Sequence, residues 1–203
     1  MIDRGTCKTM LRESARLMLE HAERLSDIDS RFGDADHGLT MSKIAKAVSA
    51  AAGESEGGIQ AMLDDAAMAV MVLNGGSAVP LWNTWLDGLQ EEAPEGNEID
   101  TAGIQAIFAK ALKALSDMSG AKVGDKTMMD ALIPASQAIA AYSGSDEAGL
   151  FDAAAQAALQ GAEASKQFVS KFGRAKSYGE QTIGTPDAGA ASMAYFFQGL
   201  ARP

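Results

Sequence analysis

Apolar residues return every three or four positions along almost the whole chain, and that spacing restricts its fold more than any other feature. Leu11, Ala15, Met18, Ala22 and Leu25 form one stripe; Met41, Ile44, Ala45 and Val48 form a second. Ile59, Met62, Leu63, Ala66, Ala67, Val70 and Met71 make a third, and Leu81, Trp82, Trp85, Leu86 and Leu89 a fourth. The fifth runs through Ile104, Ile107, Phe108, Ala111, Leu112 and Leu115, the sixth through Met128, Met129, Leu132 and Ile139. Phe151, Ala154, Ala155, Ala158, Leu159 and Ala162 are followed by Ala190, Ala194, Phe197 and Leu200. No stretch alternates with the period of two that a half-buried strand needs. Aromatics are only 6% of the chain, which favours closely packed helices over a sheet. Each stripe must be buried against another, so the sequence predicts an all-α fold: an eight-helix antiparallel up-and-down bundle or barrel. At 203 residues, the expectation is a single domain over 1–203. Pro134 either kinks the sixth helix or marks its first turn.

The connections divide into two kinds. GESEGG (53–58) and EEAPEGNEID (91–100) are acidic and unspecific, as solvated links are. DIDSRFGDADHG, LNGGSAVP, SGAKVGDKT and RAKSYGEQTIGTPDAGA are chemically unusual. In an up-and-down bundle alternate connections emerge at the same end. The unusual ones join the first helix to the second, third to fourth, fifth to sixth and seventh to eighth. They are therefore expected to meet at one rim, with the bland pair at the other.

With 17 Lys and Arg against 27 Asp and Glu, the net charge of −10 argues against broad nucleic-acid or anionic-membrane binding. No apolar run reaches the roughly 18 residues of a membrane span, and charges are scattered through the first twenty residues, unlike a signal peptide. The lone Cys7 has no internal disulfide partner. A cytoplasmic protein is the expectation, with neither nucleic acid nor membrane among its partners.

Asp29, Asp34 and Asp36 place three carboxylates just before a helix, hard oxygen donors suited to Mg²⁺, Mn²⁺ or Ca²⁺. An EF-hand register fails, because Arg31 and Ala45 occupy positions that need ligands. Mg²⁺, which completes its shell with water and phosphate oxygens, suits so short a cluster; an acidic cap on the following helix is the alternative. His37 could donate to a phosphate, and Gly38 would let backbone approach it. Gly75, Gly76 and Ser77 offer either a second anion-facing turn or a plain helix stop. GAKVGDKT invites comparison with a P-loop, but the preceding strand and the glycine spacing are missing. Arg174 and Lys176 are candidate phosphate neutralisers in a rim loop. Two His and one Cys are too few for a zinc site, no Ser-His-Asp or Cys-His arrangement is present, and no residue is assigned as a catalytic acid or base. The residues describe a metal-dependent, phosphate-binding rim on a helical bundle.

At those same positions GDADHGLTM, GGSAVPLW, VGDKTMMDAL and GEQTIGTPDAGA resemble the nucleotide-binding L subunit, or L domain, of dihydroxyacetone kinases. The resemblance runs through nearly the whole chain. It implies an eight-helix barrel whose loops at one end hold ADP or ATP through two Mg²⁺ ions. It implies Asp29, Asp34 and Asp36 as metal ligands, with His37, Gly38, Leu39, Thr40, Ser77 and Ala78 beside the phosphates. Gly120 and Met128 correspond to residues on the base and ribose side, and Arg174, Asp187, Ala188 and Gly189 to further nucleotide contacts. The implied activity is phosphoryl transfer to a short-chain ketose, dihydroxyacetone or a relative such as erythrulose, held on a separate K-type subunit. The donor is either exchanging ATP or bound ADP recharged by a phosphotransferase-system phosphocarrier; that carrier and a second copy of the chain are further candidate partners. Val79 and Asn83 stand where the family usually carries Gly, and Gln181 where it carries Arg. A branched Val79 is expected to reshape the loop against the phosphates. Two alternatives share these motifs: a fatty-acid-kinase-like donor domain, and a nucleotide-sensing regulatory module that binds a partner protein without catalysing transfer.

Overall fold

A computed structural model describes residues 1–144 and 146–202. The first predicted stripe forms two helices, α1 (Arg4–Glu20) and α2 (Ala22–Asp29), and the other seven form one each. These are α3 (His37–Glu54), α4 (Ile59–Met71), α5 (Ala78–Gln90), α6 (Thr101–Ser119), α7 (Met129–Ala141), α8 (Glu147–Ala164) and α9 (Ala188–Leu200). The break in the first stripe falls at His21, whose backbone leaves the helical region (φ −102°, ψ 13°). Its ring stacks on Tyr195 of α9, with centroids 4.1 Å apart. The expectation of no strand needs one correction. Ile2–Asp3 (β1) pairs antiparallel with Glu98–Ile99 (β2), Ile2 opposite Ile99. A ladder of two residues is too short to leave an alternation in the sequence.

Each helix packs against the next in chain order, and α9 returns to α1, so with α1 and α2 taken together the helices close a ring. Six buried aromatic residues fill its interior: Trp82, Trp85, Phe108, Phe151, Phe196 and Phe197. Trp85 meets Trp82 and Phe196 edge to face, with centroids at 5.6 and 5.1 Å. Such pairs contribute about 0.5–1.5 kcal/mol beyond the area they bury. Both tryptophans are therefore core, as a helical aromatic stripe suggests.

Pro134 lies inside α7 and cannot donate to the carbonyl of Asp130 one turn back. Gly161 of α8 packs against that same carbonyl so closely that a Cβ would run into it. The two bland connections do meet at one end: Ile59 N–H donates to the Gly96 carbonyl at 2.9 Å, and Gln60 N–H to Pro94 at 3.1 Å. Three helices that begin there carry their own aspartate cap. Asp3, Asp100 and Asp146 accept from the amides of Thr6, Gly103 and Gly149 at 2.7, 2.8 and 2.6 Å.

Gly199 of α9 lies against the backbone of Ser14 in α1, where a Cβ would collide. Gly199→Ala is expected to lose about 1–3 kcal/mol in urea unfolding. Gly53→Ala, with nothing near the added methyl and a helical backbone, is expected to gain up to about 1 kcal/mol. Equal midpoints for the two variants would contradict the tight α1–α9 contact.

Candidate functional site

The other end of the ring is built from helix beginnings. The connections into α3, α5, α7 and α9 surround a cavity of about 350 Å³. Its wall includes Asp36 and His37 where α3 starts, Ser77 and Ala78 at α5, Met128 at α7, and Asp187, Ala188 and Gly189 at α9. Each helix start brings unpaired amides and a partial positive charge to the same space. The amides at two of them are served by side chains. Asp130 accepts from Gly124 and Thr127 at 2.6 and 2.7 Å in the turn before α7, and Asp187 accepts from Ala190 at 2.7 Å in α9. Neither α3 nor α5 has a side-chain cap. Among the described residues, the amides of His37, Gly38 and Leu39 meet no acceptor.

Against these positive ends stands a carboxylate cluster. One oxygen from each of Asp29, Asp34 and Asp36 lies within 4.8 Å of the others. The turn that gathers them is tight. Gly33 N–H donates to the Asp29 carbonyl at 2.7 Å, Asp36 N–H to Asp29 Oδ2 at 3.2 Å, and Ala35 takes a left-handed φ of 61°. That φ costs a non-glycine residue about 1–2 kcal/mol. Burial, then repulsion from Asp34 and Asp29, holds the Asp36 carboxyl above its usual range; Arg174 offsets this in part. Arg174 reaches across to Asp34 Oδ2 at 2.8 Å.

Two wall residues titrate unusually because protein encloses them on every side but the cavity. Burial pushes His37 down to about 4, so its imidazole is neutral at pH 7. Its Nε2 lies 3.1 Å from Ser192 Oγ, which already donates to the Gly189 carbonyl at 2.9 Å and so is free to accept. Burial pushes Asp187 up to about 7.

The cavity collects the sequence-predicted residues other than Gly38, Leu39, Gly75 and Gly120. Gly38 is buried against α2, where a Cβ would run into the Ala22 carbonyl, so helix packing rather than approach to a ligand requires glycine there. The Leu39 side chain is exposed, and Gly120 caps α6 with φ 64°. Lys176 is also off the wall. The Val79 side chain is buried over Gly75 and does not line the cavity. Asn83 points to α4, donating to the Ala67 carbonyl at 2.9 Å, and Gln181 is exposed. Sequence reasoning missed Phe32, Phe172, Thr185 and Lys126, all on the wall. Phe32 and Phe172 were signalled only by their place in rim connections, whereas Lys126 and Thr185 stand inside the GDKT and GTPDAGA motifs.

Residues 31–202 match the DAK2 domain. The D-erythrulose kinase of Mycolicibacterium smegmatis is 36% identical over 185 residues, 89% of this chain and 32% of that protein. The chain thus spans about a third of the length of the erythrulose kinases it matches. The ADP-binding subunit DhaL of the PEP-dependent dihydroxyacetone kinase 1 of Listeria innocua is 28% identical over 98% of this chain and 96% of its own length. The fold is that of the dihydroxyacetone kinase from C. freundii, solved in complex with AMP-PNP and Mg²⁺: TM-score 0.71 at 21% identity, over 96% of this chain and 33% of that one.

Asp187 holds its proton more tightly folded than unfolded, so its contribution to stability is fully present below about pH 4 and lost as pH rises through about 7. Asp187→Asn keeps a cap acceptor and cannot ionise. The unfolding free energy of the variant minus that of the wild type should therefore become more positive across this window. Parallel urea-unfolding curves at both ends would show that Asp187 titrates as an ordinary carboxyl.

Proposed function

The chain belongs to the DAK2 domain family, and we propose that it is the nucleotide-binding part of a ketose kinase, with residues 1–203 acting as one domain. The observation that carries this reading is the pairing of opposite charges in one cavity. Three carboxylates face the uncapped starts of α3 and α5. A free anion would meet the carboxylates and a free cation the helix ends; a metal-bridged phosphate satisfies both. Support comes from relatives named as ADP-binding subunits and from the fold of a kinase solved with AMP-PNP and Mg²⁺.

The donor set fits a hard divalent cation. It is all oxygen, burial and then repulsion from Asp34 and Asp29 hold the Asp36 carboxyl above its usual range, and Arg174 forms the one ion pair to the cluster among the described residues. Asp29, Asp34 and Asp36 would hold Mg²⁺, in the proposed reading two ions. When bound, Mg²⁺ would supply charge neutralisation between the carboxylates and the phosphate oxygens.

The chain's own residues do the rest. The free amide of His37 on the wall and those at the start of α5 beside Ser77 and Ala78 donate to phosphate oxygens; Thr40 adds a hydroxyl from the cavity wall. Arg174 contributes positive charge from the facing loop, and neutral His37 lines the wall without charge, its one ring N–H directed at Ser192 Oγ. In this reading Met128, on the wall, and Gly120, at the end of α6, serve the base and ribose, while Asp187, Ala188 and Gly189 line the α9 side. The ketose, dihydroxyacetone or erythrulose, is held on a K-type surface that faces this rim. The phosphate source is ATP, or ADP recharged in place by a phosphocarrier. No described helix is long and apolar enough to cross a membrane.

Native mass spectrometry of freshly purified protein, with and without a chelator, tests the reading. Retained ADP and Mg²⁺ lost on chelation supports recharging in place, and reversible Mg·ATP binding by an empty protein supports exchange. Binding of neither nucleotide in added Mg²⁺ overturns the proposal. Asp34→Asn should weaken Mg·ADP on the order of 100-fold, about 2.7 kcal/mol by titration calorimetry. Its unfolding midpoint without ligand should match or exceed that of the wild type, because a crowded carboxylate is removed.

A further inference from the structure

The sequence reading set GDKT aside as a failed P-loop, yet the structure gives this turn a different task. We propose that the turn at 124–127 is a clasp for the cavity-wall segment 165–187, with Lys126 as its positioning residue.

The segment needs holding. Between α8 and α9 it forms only a short 3₁₀ turn, Ser165–Gln167, and a 3₁₀ stretch, Arg174–Thr182, interrupted at Gly179 (φ 55°, ψ −130°). Regular helix bonds therefore do not fix it, although it carries Phe172, Arg174 and Thr185 to the cavity. Lys126 lies in the preceding rim connection and is 5% exposed. Its Nζ donates to the Ser165 carbonyl at 2.6 Å and to the carbonyl of Thr185. Those acceptors stand at the two ends of the segment, so one ammonium ties both stems. The stems also meet directly: Gly184 N–H donates to the Lys166 carbonyl at 2.7 Å, and Asp187 N–H to Ser165 Oγ at 2.9 Å. A second arm comes from Asp125. Its carboxylate pairs with Lys171 Nζ at 2.6 Å, and its carbonyl accepts from Lys171 N–H at 3.1 Å.

The clasp is itself braced. Asp130 accepts from the amides on both sides of the turn, Gly124 and Thr127, and Lys126 is held at φ 59°. A left-handed lysine and a buried ammonium each cost free energy that a surface lysine avoids. An apolar side chain of that length would fill the space without desolvating a charge. It could not bridge two carbonyls, which a compact ammonium with three rotatable donors does. By fixing both stems, Lys126 sets where Arg174 stands relative to Asp34.

Full-length wild type and Lys126→Met distinguish this from a general packing role. Hydrogen exchange read by mass spectrometry should show amides in 166–185 exchanging about tenfold faster, with the helices protected as before. Affinity for Mn²⁺ alone should hold or rise, because the carboxylates lie outside the clasp. The Kd for Mg·ADP should rise about tenfold, through faster dissociation. Unchanged exchange in 166–185 overturns the clasp, and equal losses of Mn²⁺ and Mg·ADP affinity reduce Lys126 to general stability. The affinity readout rests on the nucleotide reading above, whereas the exchange readout does not. Wild type that fails to bind Mg·ADP therefore overturns that reading and leaves exchange to decide the clasp. Should Lys126→Met fail to fold, Lys171→Met cuts the exposed arm; its expected effect is a smaller rise in the same amides, and no rise overturns the proposal.

Discussion

Antiparallel neighbours joined by short links place every second helix start at the same rim, and the site depends on that constraint. The ring has two chemically different ends because of it. At the far end α1, α6 and α8 satisfy their first amides with Asp3, Asp100 and Asp146. At the near end α3 and α5 leave theirs uncapped beside three carboxylates. Without the alternation, those helix starts and those acids would not face one space. Each group alone would be solvated; together they describe a ligand that carries both signs of charge.

Local strain gathers at the same rim. Among the described residues, the two non-glycine residues with positive φ are Ala35, which turns the carboxylate loop, and Lys126, which turns the clasp. Burial also shifts His37, Asp187 and Lys126 away from their ordinary protonation equilibria. Such conformations persist only where the surroundings over-determine them. Here the surroundings are hydrogen bonds, to Asp29 in the Ala35 turn and to Asp130 in the Lys126 turn, at one end of the aromatic interior centred on Trp85. Trp82 belongs to both regions, packed in the core and forming part of the cavity wall, so the stable and strained parts share a side chain.

The sequence exposed what depends on local periodicity and hid what depends on distant contacts. Eight stripes and the alternation of connections were legible, because each follows from residues three or four apart. The Asp29, Asp34 and Asp36 cluster was legible because its members are close in sequence. The break at His21 was not: no glycine or proline marks it, and its partner Tyr195 belongs to the last helix. Gly38 was visible as a glycine, but its reason, the Ala22 carbonyl of α2, requires knowing how two helices cross. Lys126 was hidden most fully. Its acceptors lie 39 and 59 residues away, and its sequence neighbourhood suggests an unrelated phosphate loop.

Two of the departures from the family pattern pack away from the cavity. Val79 closes over Gly75 in the core, and Asn83 ties α5 to α4. Neither adds a side chain to the cavity wall. On the proposed reading, this separates two properties that the motifs alone would merge. On it, the cavity of about 350 Å³ would answer to phosphate and metal, groups common to phosphoryl donors. Choice between a three-carbon and a four-carbon ketose must then come from the surface that holds the sugar, and from how Arg174 and its loop meet that surface. Relatives named for erythrulose and for dihydroxyacetone fit this division: similar sequence accompanies different named acceptors.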